Sequence, residues 1–350
     1  MNRLTHISKI LFSALILLGL GLFSCIEELE NQVPVSGQLV VSGQFSNSDS
    51  LRQISIQRIN SITGSGAALS ASGRIYRDGT DPIELVEVET GILRAPQTYV
   101  FEEGREYFVE INLENQVYRS KAQLVQPLLH TDSISFEVRE ERNDDRRPGE
   151  PILFRKIEFS AYVDLPDVNE RQAYYRWVVD EAWLFIGLGV GSICYVQENI
   201  ANNPYQVISN TVPGAKVGLV GVPVLDHDLD FSFEHQHYIN VYLHSVDAAT
   251  FDYYEKNQRL IGIDGTIYDE IPGEIESNIL NVDRPDEKVR GWVEFFLADT
   301  LRLKVLGSQI PAPVPQQCNV PPGATPPNRC LSCPGTYGIT SIEKPFYWED

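Results

Sequence analysis

Positive charge is scarce in this sequence: 28 Lys and Arg stand against 48 Asp and Glu in 350 residues, a formal net charge of −20. Such a chain repels nucleic-acid phosphates and anionic membrane surfaces alike. Nucleic acid is therefore excluded as a partner, and membrane contact must come from something other than a basic patch. Catalytic signatures are missing too, with no Gly-x-Ser-x-Gly elbow and no His-Glu-x-x-His pair. There is no internal repeat and no coiled-coil heptad pattern. The apolar run Ile10 to Phe23, broken by Ser13 and two glycines, is shorter than the ~20 residues a membrane-spanning helix needs. What is present is the composition of a globular chain, 43% hydrophobic and 10% aromatic, which argues against wholesale disorder. Its length exceeds what one core usually organises, so two domains are expected.

The N-terminus has the layout of an export signal over residues 1–24. Arg3 and Lys9 give the positive region, the apolar run follows, and the small Ser24 sits at the cleavage position. Removing it takes away those two cations and no acid, leaving 26 basic against 48 acidic side chains, a net charge of −22. "LFSC", Leu22 to Cys25, resembles the lipobox of bacterial lipoproteins, with the bulky Phe23 as its unusual feature. The resemblance implies lipidation of the Cys25 thiol, cleavage before it, and acylation of the new amino group. Each buried methylene adds ~0.8 kcal/mol, and one chain anchors marginally, so several chains hold a protein durably. Glu27, Glu28 and Glu30 follow in a short acidic tether, 25–32. They look like the lipoprotein export signal of Bacteroidota, which implies an outer-membrane, lipid-anchored protein at the cell surface. A plain solvated tether, leaving the protein on the periplasmic face, is the alternative.

Strand patterns take over from residue 33. "QLVVSGQF" puts Leu39, Val41 and, after a break at Gly43, Phe45 on one parity; Ile54 and Ile56 alternate in "LRQISIQRI". "GREYFVEINLENQVYRSKAQL" reads as a hairpin. Tyr107, Val109, Ile111 and Leu113 share a face, Glu114 to Gln116 turn, and Val117 to Gln123 return. Several short strands with turn signals between them predict an immunoglobulin- or transthyretin-like β-sandwich over 33–126. Pro127, in "QPLLHTDSI", marks the expected boundary to a larger β-rich domain over 127–350. Within that domain the charged run 139–151 is expected as a long hairpin tip. One helix is expected near 247–259, with Ser245 or Asp247 as its cap and Ala248, Phe251 and Tyr254 at helical spacing. Residues 308–328, rich in Pro and Gln, are expected to be irregular. The fold class is mainly all-β.

Four further cysteines, Cys194, Cys318, Cys330 and Cys333, fit two disulfides in an oxidising compartment, with three pairings open. "CLSC" could also be half a zinc site or a redox motif, but the second ligand pair and the βαβ context are lacking. His227, His235, His237 and His244 cluster in sequence, which fits either a metal site or the polar face of a strand. "GLGVGS", 187–192, resembles a phosphate-cradling loop, but strand rather than helix follows it, so a glycine-rich bend is expected. Tyr174, Tyr175, Trp177, Trp183 and Phe185 form either sandwich core or an exposed aromatic platform. No cofactor is implied.

Taken in order, "SCIEELE", "GREYFVEI", "TDSISFEV", "EFSAYVDLPDVNERQAYYRW", "HSVDAATFDYYEKNQ", "GEIESNILNVDRPDEKVRGWVEFF" and "CLSCPGTYGITSIEKPFYW" resemble an uncharacterised family of Bacteroidota outer-membrane lipoproteins, domain-of-unknown-function family 4249. Its members often end in Pro, one residue and Phe-Trp, a pattern that Pro345 to Trp348 vary slightly. The resemblance implies an outer-membrane lipoprotein, frequently encoded beside a TonB-dependent transporter. It supplies no catalytic residue and no ligand. The expected function is thus non-enzymatic: a lipid-anchored accessory or ligand-binding partner of such a transporter. A surface hydrolase and an adhesion or structural envelope protein are the alternatives.

Overall fold

A computed structural model describes residues 37–48, 51–59, 66–128, 131–143, 152–189, 193–199, 206–211, 215–261, 275–331, 333 and 339–349. Cys25, Glu27, Glu28 and Glu30 lie outside the described residues. The described chain is mostly antiparallel β, arranged as sheets packed face to face around two main cores, with one α-helix.

Alternation builds the first sandwich. In Gln38–Phe45 and Arg52–Ile59, Leu39, Val41, Phe45, Ile54 and Ile56 point inward. In Glu106–Leu113, Tyr107, Val109, Ile111 and Leu113 answer from the facing sheet. The strand 38–45 runs through Gly43 without a break. A Cβ at Gly43 would lie 2.8 Å from the Cβ of Ile54, so glycine lets the two strands close up. The following hairpin turns on two residues, Glu114 and Asn115, both at positive φ (51° and 61°), the geometry that suits strand twist; Gln116 already pairs with Leu113.

This sandwich is not contiguous in sequence. Ile279–Asn281 adds to the edge strand Gln116–Ser120. Val293–Phe295 lies parallel to 38–45, pairing Gly43 with Val293 and Phe45 with Phe295. Its backbone bonds extend the contact, Val41 N–H to Arg290 O at 2.9 Å and Gly43 N–H to Trp292 O at 3.0 Å. The Phe295 ring stacks on Phe45 (5.1 Å) and Tyr107 (5.7 Å) in the middle of the core. A division at Pro127 leaves these strands out of the unit they complete.

The second sandwich packs a three-stranded sheet, Thr131–Asn143, Ile152–Leu165 and Gly218–Asp228, on a sheet centred on Tyr174–Ile186 and Gln236–Val246. The two strands flanking the charged run pair as far as Asn143 opposite Ile152, so residues 139–143, expected in the tip, belong to the strand, and 144–151 lie outside the described residues. Of the aromatic run, Tyr175, Trp177, Trp183 and Phe185 are buried, so it is core and not an exposed platform. The helix, α1, is Ala248–Ile261, two residues longer at its C-terminus than expected. Asp247 caps it, accepting from Thr250 N–H at 2.8 Å, while Ser245 Oγ donates instead to Pro127 O.

Residues 311–327 are irregular, as their prolines require, and a short strand, Ile339–Ser341, then pairs with Ile193–Asn199. Gln317 ties it to the strand 174–186, donating to Leu184 O and accepting from Ile186 N–H. The cysteines resolve the three pairings to one: Cys194 with Cys333 and Cys318 with Cys330, Cα separations of 5.9 and 5.6 Å. Such links staple a segment that cannot build its own core.

Because Val293 and Phe295 are fully buried in the first sandwich, a fragment of residues 33–126 should not fold cooperatively. Its circular dichroism should show no sigmoidal urea transition. Including 275–297, joined by a linker, should restore one. Phe295→Ala in the full chain should cost about 3–5 kcal/mol in urea denaturation.

Candidate ligand-binding cleft

Register on the outer face of the first sandwich sets the site. Ser42 and Gln44 alternate with the inward Val41, Gly43 and Phe45, and Ser55 and Gln53 do the same on the neighbouring strand. Ser42 pairs with Ser55, and Gln44 with Gln53. The parallel strand adds a third column, with Gln44 opposite Glu294 and Trp292 two residues earlier on the same face. Two rows result, Ser55–Ser42–Trp292 and Gln53–Gln44–Glu294.

Helix α1 covers the third column. Tyr253 stacks on Trp292 (centroids 4.5 Å apart, planes 18°), and the Trp292 indole N–H donates to Thr250 Oγ1 at 3.2 Å. Gly291, at φ +95°, holds the chain against strand 38–45, where a Cβ would run into Val41 O. The first two columns stay open. They form the floor of a cleft of ≈350 Å³ with Tyr253, Tyr254 and Trp292 as its wall. A second cleft of ≈210 Å³, lined by Lys121, Asp252, Lys256 and Glu276, shares Tyr253 and Trp292.

Beneath the wall lies a buried ion pair between the two sandwiches. Glu294 Oε1 accepts from Arg176 Nη2 (2.7 Å), Gln44 Nε2 (2.7 Å) and Tyr254 OH (2.9 Å). Arg176 lies over the Tyr254 ring at 4.3 Å, and the same Nη2 donates to His244 Nδ1 at 2.7 Å. Burial, with Arg176 adjacent, holds His244 well below the usual imidazole range, so it meets Arg176 as a neutral acceptor. Burial also pushes the Glu294 carboxyl up, against the pull of Arg176. Among the described residues, Arg176 Nε, His244 Nε2 and Glu294 Oε2 have no hydrogen-bond partner.

The histidines do not converge on one point. His237 Nε2 and His227 Nε2 meet Glu181 at 3.0 and 3.4 Å, His235 lies 4.0 Å from Glu234, and His244 belongs to the ion pair. Among the described residues no group of three metal-ligating side chains could hold an ion. Glu181 is buried, yet hydrogen bonds from His227 and His237 outweigh that burial and hold its carboxyl at about 2. Burial likewise opposes the charge on His227, but Glu181 raises it to about 9. His237 is fully buried and stacks on Phe233 at 4.0 Å, while His227 keeps part of its ring at the surface, so the two histidines brace Glu181 at the margin of the core. The glycine-rich stretch begins after Ile186, which pairs with Ile193, so it lies between two paired strands; residues 190–192 are outside the described set.

The family model described as "Domain of unknown function (DUF4249)" matches residues 26–302. The chain belongs to this family. The DUF4249 match covers the first sandwich, most of the second, and every residue of the cleft. No curated protein and no solved structure matches the chain. The cysteine-bearing tail lies past the matched residues.

Chemically the cleft can bind and orient, since the described residues of its open floor offer amides and hydroxyls. Sequence reasoning missed Trp292, Glu294 and Arg176. In "GWVEFF" the alternation of Trp and Glu against Val and Phe was the available signal.

Glu294→Ala should leave Arg176 buried without its counter-charge and cost about 3–5 kcal/mol in urea denaturation. The Glu181–His227 pair gives a pH signature. The His227 share is complete below about 6.5, its ordinary value, and is lost as pH rises through about 9; the Glu181 share is complete above 4.5 and is lost as pH falls through about 2. The stability gap between the native chain and His227→Gln should therefore be widest between pH 4.5 and 6.5 and close by about pH 10, read from urea midpoints.

Proposed function

We propose that this chain is a lipid-anchored outer-membrane lipoprotein, displayed on the cell surface, that binds a ligand and serves a TonB-dependent transporter as a non-enzymatic accessory in nutrient uptake. The observation that carries the binding role is the open cleft: a floor of paired serines and glutamines against a fixed aromatic wall. Pockets that bind small ligands combine a few placed polar groups with aromatic surface, and the volume falls at the lower end of the usual ~300–1,000 Å³.

The remaining parts of the reading rest on the sequence. "LFSC" supports lipidation at Cys25, and Glu27, Glu28 and Glu30 support display on the outer surface. Membership of the DUF4249 family supports the transporter as partner. Confining both proteins to one membrane raises their effective concentration, so a weak interface suffices. A net charge of −20 turns the protein away from anionic headgroups and leaves the acyl chains as its attachment.

Purification of the full chain from native membranes in mild detergent should bring a TonB-dependent transporter with it. Cys25→Ser should move the chain to the soluble fraction, and protease added to intact cells should degrade the native form. Recovery of the chain alone would contradict the accessory role, and full protection from protease would place it on the periplasmic face.

A further inference from the structure

The cleft's ligand can be narrowed from the hydrogen-bonding roles already committed around it. Gln44 and Gln53 are cross-strand partners on the floor, and each has one end of its amide engaged. Gln44 Nε2 donates to Glu294 at 2.7 Å, which turns its carbonyl toward other donors. Gln53 Oε1 accepts from Arg94 Nη2 at 2.9 Å, which leaves its amide N–H groups to donate. Side by side, the row offers one acceptor and one donor, both held by charged groups behind them. Ser42 and Ser55, paired in the next row, add two hydroxyls that can take either role.

We propose that the cleft binds a neutral sugar ring, with adjacent ring hydroxyls on the Gln44–Gln53 row and the apolar ring surface against Tyr253 and Trp292; this rests on the ligand-binding role proposed above. A hydroxyl donates and accepts at once, so a pair of neighbouring hydroxyls satisfies a fixed acceptor beside a fixed donor without leaving either amide end unpaired. The wall supplies the complementary surface for C–H groups, and Trp292 is pinned by Thr250 so that it keeps its orientation.

Charge argues for neutrality. Among the described residues, the lining of the ≈350 Å³ cleft has no ionisable side chain apart from two tyrosines. Glu294 lies under the floor with its charge answered by Arg176, and Arg94 stands exposed at the outer end of the row. An ionic ligand seated between floor and wall would lose water without a counter-charge among those lining residues, since Arg94 lies outside them. A peptide is matched less well. The floor is a sheet face whose backbone groups are already paired within the ladder, so it offers no edge for strand addition. The second cleft, with Lys121, Asp252, Lys256 and Glu276, is the charged one, and it lies across the shared aromatic wall.

The test is calorimetric titration of the full-length lipoprotein in mild detergent. The probes are short neutral gluco-, manno- and galacto-oligosaccharides, uronate oligosaccharides of the same length, and uncharged Gly-Ser peptides. At least one neutral series should bind, with uronates at least ~tenfold weaker. Gln53→Ala, an exposed position, should weaken binding by ~tenfold. Ser42→Trp, which fills the floor, should abolish it, and an unchanged thermal unfolding midpoint would show that the variant is folded. Should Ser42→Trp not fold, Gln53→Ala decides alone. Absence of neutral-sugar binding at ~1 mM, preference for uronates or peptides, or unchanged affinity in the folded variants would overturn the assignment. Co-purification of a transporter with a chain that binds no sugar would overturn the ligand class alone and leave the accessory role standing. Sugar binding without any transporter would do the reverse.

Discussion

The parallel pairing of residues 290–296 with the strand Gln38–Phe45 is the constraint on which the rest depends. It joins chain segments some 250 residues apart, as the Gln44–Glu294 hydrogen bond records. It completes the first core by delivering Val293 and Phe295, and it completes the outer face by delivering Trp292 and Glu294. From Phe296 the chain runs directly into Leu297–Leu306, a strand of the second sandwich, and Asn47 fastens that crossing by bonding both to and from the backbone of Ala298. The two sandwiches therefore share a strand path, and the cleft lies where they meet.

Alternation on that path divides the labour. Val293 and Phe295 provide hydrophobic burial, the dominant stabilising term. Glu294 and Trp292, on the opposite face, provide geometry. The buried Arg176–Glu294 pair contributes little net stability, because desolvation offsets most of the attraction. Its role in the structure is orientation: it holds Tyr254 and Gln44 at one carboxylate oxygen and leaves Gln44 with a defined acceptor facing the cleft. Among the described residues, three polar atoms of the cluster have no partner, a cost carried at the junction.

Local features were legible in the sequence. The alternation of Tyr107 to Leu113, the capped helix after Asp247, the pairing of the strands that flank the charged run and the two disulfides are set by neighbours or by composition, and the structure has them all. Family membership was legible from the order of segments. The discontinuous sandwich was not, because a three-residue parallel strand carries no local signature of its distant partner. Gly43 read as a break because a glycine in a strand looks the same whether it ends the ladder or lets another strand approach. The histidines read as one cluster, but register sends His244 to Arg176 and His237 to Glu181. The cysteine pairing was undecidable for the same reason, since it depends on where the irregular tail returns to the strand 193–199.

Hydrogen exchange on the full chain tests the central claim most directly, that 290–296 is an integral part of the first sandwich. Val41 and Gly43 N–H bond to Arg290 and Trp292 carbonyls, and Arg290 and Phe296 N–H bond back to Leu39 and Phe45 carbonyls. The account predicts that these four amides open together, with one common free energy close to that of global unfolding. Fast exchange at Arg290 and Phe296 while Val41 and Gly43 stay protected would contradict it.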